Sequence, residues 1–459
     1  MAELRRLAWR GGIAMAVRQV VGLAVSFAGT IALARLLGPA TFGTWVTAVA
    51  VQAWLALVCQ WGVDVWLMRK PTDPSAAEVG QALALTLATG TVVAVLAWPA
   101  GRLAAAWTGI PEAARAVTTL LAGMPLVLAP QVPLALLQRR MAYGPVAWVE
   151  LGGHAALYAV AVGGAWAGWG LSAPLAGWWA QQVTVSVLAF SLGGPQPRPV
   201  WRRDLLRGML GYGLGYSASV WVWQLRLLVN PLIVARLLGP EAAGAVSVAV
   251  RLAEGLSFMR LVIWRVALAA MGRIQADRAR LAAAVAEGMG LEALAIGPPM
   301  AVFALLAPWL VPLAFGRDWA PVAALFPWLG VAYLVNGVFS LQSSALYALG
   351  QNLEVTVFHA LHVAMLTVAV TTLVPHFGLQ GYGLAEVAAL ASFRVLHGAA
   401  ARALGPMPVG LVLLWTAGFA LALFVDPLGP AAWIGPLAVA ALPATRRRLA
   451  GWWRQLLGL

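Results

Sequence analysis

The sequence predicts an all-α protein that crosses a membrane many times. Three observations predict this fold class: 62% of the 459 residues are hydrophobic, only 10% are charged, and the mean hydropathy is +0.83. About 25% of the residues of an average soluble domain are charged. One crossing takes about 20 apolar residues in a helix, so the chain has room for about fourteen crossings joined by short connections. The remaining connections are too short to hold a soluble catalytic domain.

The apolar runs are continuous, which is typical of membrane helices, whereas membrane β-strands alternate in hydrophobicity. In the first half we predict helices at 11–34, 41–67, 80–100, 115–137, 146–167 and 170–192. In the second half we predict helices at 209–234, 242–270, 284–310, 321–345, 355–375 and 379–401. Two shorter runs, 407–425 and 428–444, predict two extra C-terminal helices.

A short repeat divides the chain into two halves. The sequence Ala-Arg-Leu-Leu-Gly-Pro occupies 34–39 and recurs at 235–240, each time after the first helix of its half. An even number of helices separates the copies, so the halves have parallel topology, and we expect Arg35 and Arg236 to be equivalent. We therefore predict two pseudo-symmetric six-helix bundles at 1–192 and 209–401, a basic cytoplasmic linker at 193–208, and two extra helices with a basic tail at 402–459.

The basic residues indicate the orientation of the chain. Most arginines and lysines outside the predicted helices fall on the side of the N-terminus, whereas the opposite side holds Arg35, Arg102, Arg115, Arg236 and Arg317. By the positive-inside rule both termini are then cytoplasmic. The same rule accounts for the net charge of +14 without nucleic-acid binding. The first apolar stretch carries Arg18 and lacks a convincing cleavage site, so we interpret it as a retained helix.

Arginines within predicted helices are the candidate substrate-binding residues. A charge at the centre of a membrane costs about 2.5–3.5 kcal/mol, so such residues face water, an anion or a counter-charge. Guanidinium groups bind phosphate through two donors at once. We predict that Arg18, Arg226 and Arg251 line a water-filled cavity and bind an anionic substrate, with Trp221 and Trp223 beside Arg226.

Each of these assignments has a competing interpretation. Glu254 follows Arg251 by three residues on a helix and could neutralise it. The two tryptophans could stack on sugar rings or pack against lipid. Arg260 and Arg265 are interpreted as extending toward the cytoplasmic interface.

Acidic and histidine residues in predicted helices are candidates for ion coupling. Glu150 and His154 are four residues apart and lie on one helix face, where they could share a proton. Glu254 and Glu386 are the other candidates for coupling to H⁺ or Na⁺. A buried acid held by a neighbouring helix is the alternative for each. We expect no cofactor and no catalytic residue. We also expect no metal, because no cysteine or second histidine cluster supports His359 and His362, and a catalytic zinc normally takes three protein ligands.

The opening of the chain resembles a known family. A basic start, a helix rich in small residues, and Ala-Arg-Leu-Leu-Gly-Pro followed by Phe42-Gly43 are similar to the N-terminal region of bacterial polysaccharide and O-antigen flippases. These proteins belong to the multidrug/oligosaccharidyl-lipid/polysaccharide (MOP) exporter superfamily. The resemblance implies a V-shaped, monomeric transporter in the bacterial inner membrane that is not an enzyme. Its implied cargo is an undecaprenyl-pyrophosphate-linked oligosaccharide, moved by alternating access.

Three alternatives remain open at this point. The two extra C-terminal helices are similar to those of the fourteen-helix lipid II flippases of the same superfamily. A multidrug exporter would share the fold, although arginines favour anionic cargo. A membrane glycosyltransferase or polymerase acting on lipid-linked sugars would also be polytopic and basic, but the longest predicted outer connection, 101–114, contains Glu112 as its single acidic residue.

Overall fold

The structure is a computed structural model and is helical in the part of the chain that it describes. It describes the backbone of residues 2–70, 72–194, 196–260, 263, 271, 274 and 276–457. Side chains are described for residues 22, 24–70, 72–194, 196–211, 220–260, 263, 271, 274, 276–451 and 454. The chain forms two compact units, Met1–Gly244 and Ala245–Leu459.

The first unit consists of long helices joined by short turns. They are α1 (Ala2–Cys59), α2 (Val63–Arg69), α3 (Ala76–Val95), α4 (Ala97–Thr108), α5 (Pro111–Ala122), α6 (Met124–Leu128), α7 (Gln131–Arg139), α8 (Tyr143–Trp166), α9 (Ser172–Leu192), α10 (Arg203–Gln224), α11 (Arg226–Val229), a π-helix (Asn230–Val234), α12 (Ala235–Leu238) and the start of α13 (Pro240–Leu256). Apolar residues of α2, α3, α7 and α10 form one core of this unit, which includes Leu67, Val79, Leu136 and Met209.

The sequence repeat is also a structural repeat. Gly38 has φ 71° and ψ 169°, and Gly239, its equivalent, has φ 87° and ψ 178°. Both angles lie in a region that suits glycine and interrupts a helix. The proline that follows each glycine starts the next helix, where a missing N–H costs nothing. The two copies therefore share one local backbone geometry, while the superposition of complete halves stays a prediction.

The two copies also contact each other through Gly43 and Gly244. A Cβ atom added to Gly43 would lie 1.7 Å from the carbonyl oxygen of Pro240. A Cβ atom added to Gly244 would lie 2.6 Å from the carbonyl oxygen of Pro39, so the contact is reciprocal. Glycine allows such a close approach of two helix backbones.

Arg236 of the second copy anchors α12 to α4. Its Nη1 atom donates a hydrogen bond of 2.7 Å to the carbonyl oxygen of Trp107, and its guanidinium lies 4.4 Å from the centre of that indole ring. The indole Nε1 in turn donates to the carbonyl oxygen of Leu232 at 3.0 Å. Arg236 thus has a structural role in the first unit.

The second unit begins within α13 and continues through eight α-helices and three short 3₁₀ segments over its described residues. The α-helices are α14 (Arg278–Phe315), α15 (Ala320–Ala348), α16 (Asn352–Ala389), α17 (Phe393–Leu404), α18 (Gly410–Ala422), α19 (Val425–Leu428), α20 (Ile434–Ala441) and α21 (Pro443–Leu457). The C-terminal helix docks on this unit, because Thr445 accepts a hydrogen bond of 2.9 Å from the buried Trp415 and Arg448 donates to the carbonyl oxygen of Ala286 at 3.3 Å.

Helices occupy most of the predicted positions, but the outer connection predicted at 101–114 is largely helical, in α4 and α5. The breaks predicted between 11–34 and 41–67 and between 355–375 and 379–401 fall at Gly38 and Gly378, whose backbone angles are non-helical, with φ 71° and 56°. Within the described residues seven helices are long and apolar enough to span a membrane, or nine if two bent pairs each count as one span. The count of fourteen crossings stays a prediction.

The two extra C-terminal helices differ most from expectation. The run at 407–425 forms α18 with 13 residues, and the run at 428–444 forms α20 with eight. Thirteen helical residues extend about 20 Å, less than the hydrocarbon core of about 30 Å. The segments Gly410–Ala422 and Val425–Ala441 meet at a bend of 73° and pass the length and composition test only as a pair.

The reciprocal glycine contact yields a stability prediction. Gly43→Ala should lower the free energy of unfolding by about 1–3 kcal/mol, because its methyl group would overlap the Pro240 carbonyl and force the backbones apart. Gly163→Ala is the matched control: a Cβ atom there has nothing within 4 Å. Thermal unfolding of the purified protein in detergent measures both. Equal stability of the two variants would contradict the contact.

Candidate functional site

Arg226 lies in the first unit immediately after α10, in contact with Trp223. The guanidinium carbon is 4.8 Å from the centre of the Trp223 ring, which is a cation–π distance. Trp221 is held by neighbouring groups: its Nε1 atom donates to the carbonyl oxygen of Leu57 at 3.3 Å, and its ring packs edge-on against Trp61 at 6.1 Å. The structure therefore brings together the predicted tryptophans and arginine, and gives the two tryptophans different neighbours.

The helix is irregular directly after Arg226. Asn230–Val234 forms a π-helix, because Pro231 has no N–H with which to continue the α-helical hydrogen bonds. The buried Asn230 donates from Nδ2 to the carbonyl oxygen of Ala243 at 3.4 Å. Single π-turns are frequent at functional sites because they redirect side chains.

The other two arginines predicted to bind substrate are Arg18 and Arg251. The side chain of Arg18 lies outside the described residues, although its backbone belongs to α1. Arg251 is in the second unit and its side chain is exposed. Glu254, which could neutralise Arg251 according to the sequence, accepts a hydrogen bond of 3.1 Å from the hydroxyl of Tyr333.

Glu150 and His154 belong to a polar stripe on α8 that also includes Tyr158. The Nδ1 atom of His154 is 2.8 Å from the backbone carbonyl oxygen of Glu150. A carbonyl can only accept, so Nδ1 carries the hydrogen in this contact. The histidine thus contacts the backbone of Glu150, and a proton shared between the two side chains stays a prediction.

Tyr158 connects this stripe to α1 and was missed by the sequence interpretation. Its hydroxyl donates to the carbonyl oxygen of Ser26 at 3.1 Å, and its ring fills the space beside Gly29, where an added Cβ would lie 2.2 Å from Tyr158 Cδ1. The signal was its spacing of four residues from His154, which continues the same face of the helix.

Glu386 is a buried acid with a partner on its own helix. Glu386 is 4% exposed, and its Oε1 atom accepts a hydrogen bond of 2.7 Å from the hydroxyl of Tyr382. Local hydrogen bonding of this kind satisfies a buried carboxyl group. A role in coupling stays a prediction.

A polar cluster in the second unit joins α14 and α15 to Arg260, which follows α13. Glu292 is completely buried and accepts hydrogen bonds of 3.3 and 3.4 Å from the hydroxyl of Ser340. Arg260 donates from Nη1 to the Oδ1 atom of Asn336 at 2.6 Å. A Cβ atom added to Gly337 would lie 3.7 Å from Arg260 Cδ and 3.8 Å from Glu292 Oε2, so this glycine makes room for both side chains.

Arg260 has a hydrogen-bond partner within this cluster, Asn336, and its extension toward the cytoplasmic interface stays a prediction. Arg265 lies outside the described residues. No sequence spacing relates Arg260, Glu292 and Asn336, because they come from three different helices.

Among the described residues, no three metal-ligating side chains come together. The Nδ1 atom of His362 instead lies 2.9 Å from the hydroxyl oxygen of Ser392.

Comparison with known proteins identifies the family. A family model described as polysaccharide biosynthesis protein matches residues 32–324, which is more than half of the chain. The chain belongs to this family. A curated relative, the succinoglycan biosynthesis transport protein ExoT of Rhizobium meliloti (strain 1021), is 27% identical over 320 residues. That match covers 67% of this chain and 62% of the relative, so the chain spans less than two thirds of the relative's length.

Solved structures show that this polysaccharide biosynthesis protein has the MOP superfamily fold. The lipid II flippase MurJ in an inward closed conformation aligns with a TM-score of 0.76 and 11% identity, covering 97% of this chain and 100% of MurJ. An inward-facing multidrug resistance MATE transporter of the MOP superfamily aligns with a TM-score of 0.69 and 16% identity. This alignment covers 83% of this chain and 95% of the MATE transporter. A MOP superfamily transporter from Pyrococcus furiosus aligns with a TM-score of 0.58 and 17% identity. This alignment covers 86% of this chain and 96% of that transporter.

The recognition made from the sequence is therefore confirmed: the chain is a multi-pass membrane protein of the polysaccharide biosynthesis family with the MOP fold. The six residues of the repeat and the sequence around Phe42-Gly43 indicated this family correctly. The orientation of the termini and the roles of the site residues stay predictions.

The buried cluster yields a double-mutant prediction. Arg260→Gln should destabilise the second unit, because Glu292 is then left without a nearby cation, and adding Glu292→Gln should recover part of that loss. We expect a coupling free energy between the two changes of about 1–3 kcal/mol. Thermal unfolding of the two single variants and the double variant measures it.

The control for this cycle is the exposed pair Arg402 and Glu354, whose atoms Nη2 and Oε2 are 3.4 Å apart. Its coupling should be at most about 1 kcal/mol, because solvent screens exposed ion pairs. If the coupling of Arg260 with Glu292 is no larger than that of the exposed pair, the opposite charges of these two side chains contribute no specific stabilisation.

Proposed function

We propose that this protein transports an undecaprenyl-pyrophosphate-linked oligosaccharide across the bacterial inner membrane for the synthesis of a cell-surface polysaccharide. The observation that carries the proposal is the family match over residues 32–324. It is supported by the curated relative, whose name describes it as a transport protein of succinoglycan biosynthesis. In this proposal the protein works as a monomer by alternating access and catalyses no reaction. Both of its termini are cytoplasmic.

The arginines provide the chemistry that this cargo requires. A pyrophosphate carries several negative charges, and a guanidinium group binds phosphate oxygens through paired N–H donors. Arg226 is held beside Trp223, with its guanidinium carbon 4.8 Å from the centre of the ring. In the proposal Arg18, Arg226 and Arg251 bind the pyrophosphate or an acidic sugar, and Trp221 and Trp223 contact the glycan.

Transport in one direction needs an energy source, which we assign to H⁺ or Na⁺ coupling. Glu150, His154, Glu254 and Glu386 are the proposed coupling residues, because acids and histidines inside membranes commonly relay ions.

A lipid II flippase is the second candidate function. The alignment with MurJ covers 97% of this chain, against 83% for the MATE transporter, although at 11% identity it shows the fold alone. Lipid II also carries a pyrophosphate, so the same arginines would serve either cargo. The nature of the glycan distinguishes the two candidates.

Substitution of Arg226 tests the proposed substrate contact. Arg226→Ala should lower the rate of transport about 10- to 100-fold, which corresponds to the loss of one hydrogen-bonded charge contact of about 1.5–3 kcal/mol. Arg226→Lys should retain partial activity, because it keeps the charge and loses the paired donors. The measurement is the appearance of the lipid-linked sugar in the outer leaflet, divided by the amount of inserted protein.

Arg207→Ala is the matched control, because Arg207 is an exposed arginine on α10. It should transport at the wild-type rate. Full transport by a variant in which Arg18, Arg226 and Arg251 are all alanine would refute the role of these arginines in binding.

A further inference from the structure

The last helix of the second unit, α21, begins at a sharp turn after an apolar helix. α20 ends at Ala441, Leu442 leaves the helix with φ −60° and ψ 130°, and Pro443 starts α21. α20 belongs to one of the bent pairs that are apolar enough to span a membrane, and its Ile434 and Leu437 are exposed. In a multi-pass membrane protein such side chains face lipid. We therefore expect the turn to mark the edge of the hydrocarbon layer.

The first two turns of α21 are fixed to the second unit through one side of the helix. Thr445 is 3% exposed and accepts the hydrogen bond of Trp415 in α18. Arg448 is half-buried, donates to the carbonyl oxygen of Ala286 in α14, and has its guanidinium carbon 5.7 Å from the centre of the Trp415 ring. These contacts determine which side of α21 faces away from the protein.

The side of α21 that begins at Thr445 loses its protein cover within one turn. Positions 445, 449, 452 and 456 are three or four residues apart and therefore share one side of the helix. Their residues are Thr, Leu, Trp and Leu, so this side is apolar after its first member. Leu449, one turn after the buried Thr445, is already 40% exposed. The apolar side is thus open to the surroundings at Leu449.

The opposite side of α21 is basic. Arg447 and Arg454 are seven residues apart and share this side, Arg446 lies at its edge, and all three are exposed. Within the described residues none of the three pairs with an acidic side chain. The sequence from 427 to 459 contains no aspartate or glutamate. The exposed side of α21 therefore carries positive charge that its own segment does not neutralise.

A helix with one apolar and one basic side is typical of the membrane interface, where it lies in the plane of the bilayer. Its apolar side enters the boundary of the acyl chains, and its basic side stays among the headgroups. Each arginine near an anionic surface strengthens binding about fivefold. Tryptophan, which occurs twice in the sequence of α21, is enriched at this level of membranes. Because α21 directly follows the lipid-facing α20, the membrane is the partner already beside it.

We propose that α21 binds the headgroups of anionic phospholipids in the leaflet next to it, through Arg446, Arg447 and Arg454, with Leu449 at the acyl boundary. In the orientation predicted from the basic residues this is the cytoplasmic leaflet. Thr445 and Arg448 hold the helix on the second unit, so docking and lipid binding use different residues. This surface is independent of the cargo in the proposed transport function.

Hydrogen–deuterium exchange of the full-length protein in nanodiscs tests this surface. One set of nanodiscs contains phosphatidylcholine, and the other contains equal parts of phosphatidylcholine and phosphatidylglycerol. The amides of 449–457 should exchange at least about tenfold more slowly with phosphatidylglycerol, since three arginines contribute about fivefold each. Arg446→Gln, Arg447→Gln and Arg454→Gln together should remove this difference. Lysine at the same three positions should retain it, because the attraction depends on charge.

The control variant combines Arg198→Gln, Arg203→Gln and Arg207→Gln, which removes three charges from exposed positions of the first unit. Its α21 should keep the slower exchange in phosphatidylglycerol, because charges beyond about 10 Å are screened. Equal exchange in the two lipids would overturn the proposal, as would an equal loss in the control variant. Retention of the difference in the glutamine variant of α21 would also overturn it. Unchanged thermal unfolding of that variant excludes misfolding as the cause of faster exchange.

Discussion

Polar groups inside a hydrocarbon layer must find their partners within the protein, because no water is available there. This constraint explains why the described chain is helical, and it explains its exceptions. Gly38 and Gly239 interrupt helices at equivalent places, and a proline after each begins the next helix. The π-helix at Asn230–Val234 occurs where Pro231 removes a donor.

The same constraint applies to charges, which are accommodated in two ways. Arg226 lies over an aromatic ring, and Arg236 combines a ring with a backbone carbonyl. Glu292 and Arg260 are instead held by hydroxyl and amide groups of α15 and lie on either side of Gly337. In the proposed mechanism Arg226 lies near the path of the substrate. Arg260 and Glu292 instead stabilise the second unit.

The sequence predicted the fold class and the positions of the helices, because continuous apolar runs and basic breaks are local features. It placed Trp223 beside Arg226, and the structure shows these two side chains in contact at a spacing of three residues. Their role in substrate binding stays a prediction. The sequence also predicted the interruptions near Gly38 and Gly378, where the structure has a glycine with a positive φ in place of a longer loop. Contacts between distant helices, such as Arg260 with Asn336 and Tyr158 with Ser26, leave no periodic signal in one sequence.

The central claim is that this member of the polysaccharide biosynthesis family moves a lipid-linked oligosaccharide between leaflets. The most direct measurement is the leaflet distribution of undecaprenyl-pyrophosphate-linked sugars in cells from which this chain has been removed. The account predicts that one such intermediate accumulates in the inner leaflet and that the wild-type chain restores its appearance in the outer leaflet. An unchanged distribution, with the same surface polysaccharide, would contradict it.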